Sequence, residues 1–299
     1  MNSYCILPKI ANSSIITETI LSQSCCMLTY PEIDPIIFSL GPLKVHWYGL
    51  MYLLGFFVAW RIALFRSQSS WSPIRKHQIE DLIICSAFGV IFGGRFGYVV
   101  FYNFEQWLLD PLWLLRIWEG GMSFHGGLLG VLLTLWWYSR KINKSFLALG
   151  DFVTPLVPIG LGLGRIGNFM GQELWGRPTD SWAGIIFPND PYQLLRHPSQ
   201  LYECFLEGLL LYIVLIVVSR KPRPMGALSG LFLSLYGSFR FIVEWFREPD
   251  IAIGFDLFGW MTRGQLLSLP MICIGIILII CAYFSANLNR KLVDKRDRG

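Results

Sequence analysis

The chain has 299 residues, 54% hydrophobic and 15% charged, with a mean hydropathy of +0.48, and this balance excludes an ordinary soluble domain of that length. It predicts an all-α polytopic membrane protein. The net charge of +5 would point a soluble protein toward nucleic acid, but here the cations are placed by topology, and no nucleic-acid partner is expected.

Residues 1–29 lack the charged start, long apolar run and small-residue cleavage site of a signal peptide. They read as an N-terminal extension outside the fold, ahead of a seven-helix transmembrane domain over 30–289 and a basic cytoplasmic tail over 290–299. Apolar runs of about 20 residues, enough to cross the hydrocarbon core, fall at 46–65, 81–103, 121–139, 152–171, 201–219, 226–246 and 265–284. That predicts seven spans. Of the 25 Lys and Arg, 15 follow the first, third, fifth and seventh of them, in clusters at 61–76, 140–144, 220–223 and 290–298. Cations of this kind mark the cytoplasmic side, so the N-terminus is expected outside (periplasmic) and the C-terminus inside.

At the start of the first span, His46, Trp47 and Tyr48 form an aromatic anchor for the outer interface; the Tyr48 phenol is equally suited to a lipid head group. The second span sets Gly89, Gly93 and Gly97 four residues apart, a register for close helix packing, with Arg95 beside them. Arg95 either pairs with a carboxylate or helix end, or serves a ligand. The following loop, with Trp107, Trp113 and Trp118, reads as an interfacial anchor.

In the third span His125 is followed by Gly126 and Gly127, which would clear space around the imidazole; it is either a hydrogen-bonded core residue or a proton acceptor. The fourth span ends in IGLGLGRIGNFMGQELWG (159–176), where Arg165, Asn168 and Gln172 are spaced to share a helix face. Its glycines, among them Gly160, Gly164, Gly167 and Gly171, let neighbouring backbones approach. A guanidinium at that depth costs several kcal/mol and must face protein, water or an anion. The next outer loop holds Glu173, Trp175, Arg177, Asp180, Asp190, Arg196 and His197, most of them expected in solvent. The fifth span reads as a plain apolar helix with Glu203 and Glu207 near its outer end.

The sixth span lines up Tyr236, Arg240, Glu244 and Arg247 on one face, where Glu244 is expected to bridge the two arginines, as a self-neutralised structural group or as an oriented anion site. The seventh span is uncharged and reads as a packing helix. The seven cysteines have no metal or redox spacing and read as small apolar residues.

The intramembrane polar set, Arg95, His125, Arg165, Asn168, Arg240 and Glu244 with Tyr48 and Glu173 at its edge, has an excess of cations. Guanidinium forks match phosphate, so a phosphate-bearing lipid is the expected ligand. A transporter of an anionic lipid or solute is the rival, although the chain has no inverted repeat and no paired broken helices.

Five stretches in order, HWYGLMY (46–52), MSFHGG (122–127), GRIGNF with Glu173 and Gly176 following (164–176), RHPSQLYE (196–203) and RPMGALSG with FRFIVEWFREPD (223–250), resemble bacterial prolipoprotein diacylglyceryl transferases. The resemblance implies transfer of the diacylglyceryl group of phosphatidylglycerol to the lipobox cysteine of a preprolipoprotein, in the bacterial cytoplasmic (inner) membrane. It also implies functional roles for Tyr48, His125, Arg165, Asn168, Glu173, Gly176, Arg240, Glu244 and Arg247. One position departs from the family pattern. Gly171 stands where the family has an asparagine, and Gln172 is the nearest amide that could replace it.

The chemistry asks for such residues. A thiol must lose its proton to attack carbon while charge grows on the departing phosphate, so a base and fixed cations are required. Arg165 and Arg240 are assigned to the phosphate, Glu244 to orienting Arg240, Asn168 and Tyr48 to the head group, and His125 to the base. No metal or diffusible cofactor is implied.

Overall fold

In the computed structural model, residues 28–31, 33–34, 36–40, 43–248, 255–257 and 261–296 are described, and they are mostly helical. Every predicted span is a helix, because a backbone inside hydrocarbon has to satisfy its own N–H and C=O groups. The helices are α1 Trp47–Arg66, α2 His77–Tyr102, the short α3 Phe104–Leu109, α4 Phe124–Lys141, α5 Phe146–Val153, α6 Val157–Met170, α7 Ser199–Glu203, α8 Leu211–Val218, α9 Ala227–Val243 and α10 Arg263–Arg296. A 3₁₀ turn, Thr154–Leu156 with Pro155 inside it, joins α5 to α6, and a π-helical segment, Cys204–Leu210, joins α7 to α8. Among the described residues five units are long and apolar enough to cross a membrane: Trp47–Arg66, His77–Tyr102, Phe146–Met170, Ser199–Val218 and Arg263–Leu288. Helix α9 is apolar but only 17 residues long, and α4 has 18.

Three small sheets sit at helix ends. Strand β1 (Leu28–Thr29) runs parallel to β4 (Ile185–Ile186), which pairs antiparallel with β5 (Leu195–Arg196); β2 (Ile36–Leu40) and β3 (Leu43–His46) form a hairpin leading into α1, and β6 (Phe255–Leu257) pairs with β7 (Met261–Thr262) just before α10. The expected extension lies outside the described residues for 1–27, whereas Leu28 and Thr29 are paired strand. Tyr30 is buried and its hydroxyl donates to the Phe169 and Met170 carbonyls, at 2.9 and 3.2 Å, tying the chain ahead of the first span to the end of α6. At the other terminus α10 runs through the expected boundary at 290, since no Gly or Pro interrupts it there.

Helices α1 and α6, α2 and α4, and α9 and α10 pack in pairs. The glycine register of α2 works as predicted: a Cβ at Gly97 would lie 2.8 Å from the Gly126 Cα, and one at Gly130 would lie 3.1 Å from the Gly93 Cα. Gly126 is therefore bare because a backbone crosses it, and the glycines beside His125 do not open space around the ring. One apolar core joins Ala63, Ile74, Leu82, Leu135, Tyr138 and Phe152 at one end of the bundle; a second, of Tyr30, Ile185 and Phe187, packs under Phe169 and Trp175 at the other.

Candidate active site

The polar face of α6, the α7 to π-helix junction and the end of α9 converge on one ionic cluster. Glu203, with no exposed surface, lies at its centre: Arg165 Nε is 3.0 Å from Glu203 Oε2, Arg247 Nη1 is 3.3 Å from Oε1, and Arg240 Nη1 bonds the same Oε1 at closer range. Glu207, equally buried, faces Arg165 Nη2 at 3.6 Å and Arg240 Nη1 at 3.8 Å. Glu244 Oε2 lies 2.8 Å from Arg240 Nη2, the i, i+4 pair that the sequence predicted.

The bridge between Arg240 and Arg247 is Glu203, not Glu244. Glu244 ends α9 and the chain then turns, so Arg247 no longer continues the helical face and reaches across to α7. Three arginines meet three glutamates, so the formal charge of the cluster is zero, and the cationic excess expected from the sequence does not hold. The Glu207 oxygens have no aligned hydrogen bond, and the Oε2 atoms of Glu203 and Glu244 make charge contacts without hydrogen-bond alignment. Such an arrangement fixes guanidiniums without using all their N–H donors. The π-helical segment places Glu203 and Glu207 toward the same cluster, and Gly208 within it meets Gly162 so closely that a Cβ would lie 2.7 Å from the Gly162 Cα.

Tyr48, 45% exposed, rests on α6, where a Cβ at Gly167 would come within 3.1 Å of its ring, and its hydroxyl lies 3.0 Å from that of Tyr52. Asn168, one turn beyond Arg165, is buried, and among the described residues no hydrogen bond to its side-chain amide is formed. The predicted glycines of α6 divide. Gly167 meets Tyr48, while Gly160 and Gly164 have no atom within 4 Å of where a Cβ would lie, so Arg165 is flanked by open space.

Gln172 does not share the face of Arg165 and Asn168. Helix α6 stops at Met170, Gln172 turns into the left-handed region at φ 53°, and its Oε1 accepts from the Asn189 amide at 2.9 Å. Its amide oxygen is thus committed to the loop rather than to the face that carries Arg165. The Glu173 amide donates to the Asn168 carbonyl, its own carbonyl accepts from Gln200 Nε2 at 2.7 Å, and its side chain is exposed. Gly176 is a strict backbone requirement: it lies between His197 and Phe246, and a Cβ would come 2.6 Å from the His197 carbonyl and closer still to that of Phe246.

Arg95 takes the structural role. Nearly inaccessible at 2%, it donates to the Leu114 and Trp113 carbonyls at 3.2 and 2.8 Å and to that of Gly120, and it stacks over the Trp113 ring at 4.5 Å. It fastens the interfacial segment after α3. His125 is exposed on the first turn of α4, and among the described residues no hydrogen bond or ion pair joins it to the arginine cluster.

The loop between α6 and α7 is also less solvated than expected. Asp190 and Arg196 are buried as a pair, Arg196 Nε 2.7 Å from Asp190 Oδ2, and Arg196 Nη1 reaches Glu248 at 2.9 Å. Burial pushes the Asp190 carboxyl up, but the bonds from Arg196 and from the Leu194 and Tyr192 amides outweigh it and hold that carboxyl below its usual range. His197, packed on Phe246 and within 3.2 Å of the Tyr202 hydroxyl, is pushed down by burial.

Glu203 and Glu207, which the sequence shows only as acids near the end of an apolar span, join the candidate site in the structure. The signal was present, since an ionisable residue inside a span is a site candidate by default, but both sit near the predicted outer boundary, where a solvated acid is unremarked.

Residues 35–281 match the family model for prolipoprotein diacylglyceryl transferase. Among curated relatives, a phosphatidylglycerol–prolipoprotein diacylglyceryl transferase of Teredinibacter turnerae is 56% identical over 283 residues, covering 91% of this chain and 99% of its own. Those of Ectopseudomonas mendocina (56% over 260 residues, 86% and 97% covered) and Pseudoalteromonas atlantica (59% over 260 residues, 85% and 91%) agree. These relatives carry the name of an enzyme that transfers a group, which sets the transporter reading aside. By the match of its residues 35–281 and the identity of these relatives, the chain belongs to the prolipoprotein diacylglyceryl transferase family.

Proposed function

We propose that the chain moves the diacylglyceryl group of phosphatidylglycerol to the thiol of a lipobox cysteine in a preprolipoprotein. The sulfur–carbon bond forms, the carbon–oxygen bond to phosphate breaks, the thiol proton leaves to a base, and glycerol phosphate departs. The observation that carries this reading is the convergence of Arg165, Arg240 and Arg247 on one buried carboxylate, Glu203. Arg165 engages its partners through Nε and Nη2, which leaves Nη1 for a phosphate oxygen, beside the open space at Gly164. Arg240 is held on both sides by Glu203 and Glu244 and meets the same phosphate.

Guanidiniums fixed before the reaction stabilise the charge that develops on the leaving phosphate without reorganising at that moment. Asn168 and Tyr48 bind the glycerol head group, with Glu173 and Gly176 shaping the outer rim, and His125 takes the thiol proton once the peptide is bound. Membrane lipid supplies the donor laterally, and the preprolipoprotein enters as the second substrate. The bundle crosses the bacterial inner membrane seven times, α4 and α9 included, with the N-terminus outside and residues 290–299 in the cytoplasm. Cysteines placed at 180 and 295 should react with an impermeant reagent from outside and inside respectively; labelling of 295 from outside would reverse the orientation.

The activity is tested by incubating the purified protein with phosphatidylglycerol and a lipobox peptide. The peptide should gain the mass of a diacylglyceryl group at its cysteine, and a cysteine-to-serine peptide should gain nothing. An unmodified cysteine peptide under conditions where a family relative is active would overturn the reading.

A further inference from the structure

At the end of the bundle away from the glutamate-held arginines, the last turn of α1, α5 and the turn after α8 border an open recess of about 140 Å³. Three cations line it, Arg66, Lys221 and Arg223, against one acid, Asp151. That acid is already committed: its Oδ2 accepts from the Gly226 amide at 2.7 Å, and its Oδ1 accepts from the Ser229 amide and hydroxyl at 2.8 and 2.7 Å, capping the start of α9.

The cations have no such partner. Among the described residues none of the three forms an ion pair; Arg223 Nε donates only to the Val218 carbonyl at 3.0 Å. Arg66 lies over the Phe152 ring at 5.4 Å and donates through Nη1 to Ser219 Oγ, while its Nε is buried with no hydrogen-bond partner. A buried donor left unsatisfied is costly, and a recess with two net positive charges at the end of apolar helices sits where lipid phosphates lie.

The geometry points to a second phosphate site here, separate from the catalytic cluster, in which Arg66, Lys221 and Arg223 hold the phosphate group of an anionic glycerolipid or of a free phosphate ester. Bound phosphate pairs with the Arg66 guanidinium and takes the two exposed cations, Lys221 and Arg223, from either side. Three cations without a carboxylate partner around one recess follow from such an occupant, whereas a role in topology alone would need no recess between them.

Hydrogen exchange of segments 67–76 and 219–226 reads the site locally, apart from catalysis. The wild-type protein would be placed in phosphatidylcholine vesicles, in vesicles mixing phosphatidylcholine with phosphatidylglycerol, and in phosphatidylcholine vesicles with added glycerol 3-phosphate. Slower exchange with the mixed vesicles alone identifies a lipid head group, and slower exchange with glycerol 3-phosphate as well identifies the phosphate itself as what is recognised. In Lys221→Gln/Arg223→Gln, whose side chains are exposed, protection should need about 30-fold more ligand, each interfacial cation contributing roughly fivefold. Transfer activity should persist in that variant, showing that it is folded. Unchanged exchange in all three mixtures, or equal protection of the double variant, would overturn the proposal.

Discussion

Glu203→Gln is the sharpest probe of the cluster, because one uncharged, nearly isosteric side chain would remove the carboxylate that Arg165, Arg240 and Arg247 share. Three largely covered guanidiniums would then face two carboxylates, Glu207 and Glu244, and Arg247 would lose the partner at 3.3 Å. Removing one partner of a buried ionic group costs about 3–5 kcal/mol. The amide can still accept one hydrogen bond at Oε1, so the lower end of that range applies, about 3 kcal/mol. If the arginines shift by that much of their positioning energy in the transition state, the transfer rate falls by roughly 10²-fold. The assay is the rate of diacylglyceryl transfer to a lipobox peptide across phosphatidylglycerol concentrations, with the melting temperature measured in parallel. A positioning role predicts a fall in kcat larger than the rise in KM, and partial recovery in Glu203→Asp. A rate within about twofold of wild type would show that the carboxylate does not organise the arginines.

Arg165→Lys and Arg240→Lys should each reduce transfer strongly although charge is kept, because one ammonium cannot reproduce the two nitrogens that each arginine places on separate carboxylates; near-normal turnover in both would remove the fork from the mechanism. His125→Gln should lose roughly 10²- to 10⁴-fold in rate near neutral pH, and the loss should shrink above about pH 8.5, where the thiol ionises unaided; a profile parallel to wild type from pH 6 to 9 would pass the base role elsewhere. Deleting residues 1–26 should leave activity intact, while deletion through Tyr30 should impair it by freeing the end of α6, and inactivity of the shorter truncation would refute the boundary. The loop should be acid-labile. The Asp190 carboxyl is held low in the fold, so its contribution is present above the unfolded value near 4 and is lost as pH falls through the folded one; neutral His197 adds a penalty as pH drops below about 6.5. Asp190→Asn should flatten the first of these, and an unchanged melting profile between pH 3 and 5 would count against the pair.

The sequence by itself determined where the helices lie and which residue types were out of place in them. Apolar runs of spanning length leave the backbone one option, and arginines at 165 and 240 inside such runs had to meet something polar. The glycine register of α2 was legible for the same reason: residues four apart share a face, and without side chains that face can only serve close approach. Tertiary structure alone decided the partners. Glu203 and Glu207 looked like boundary acids until the π-helical segment and the Gly162 to Gly208 contact brought α7 against α6, and Glu244 could not be told from Glu203 as the bridge to Arg247 because the end of α9 is not written in its i, i+4 spacing. Gln172 kept the helical spacing but left the helix, since the left-handed turn after Met170 answers to the Asn189 amide across the loop. Local patterns report which face a residue occupies; charge pairing between elements depends on angles and distances set by every helix at once.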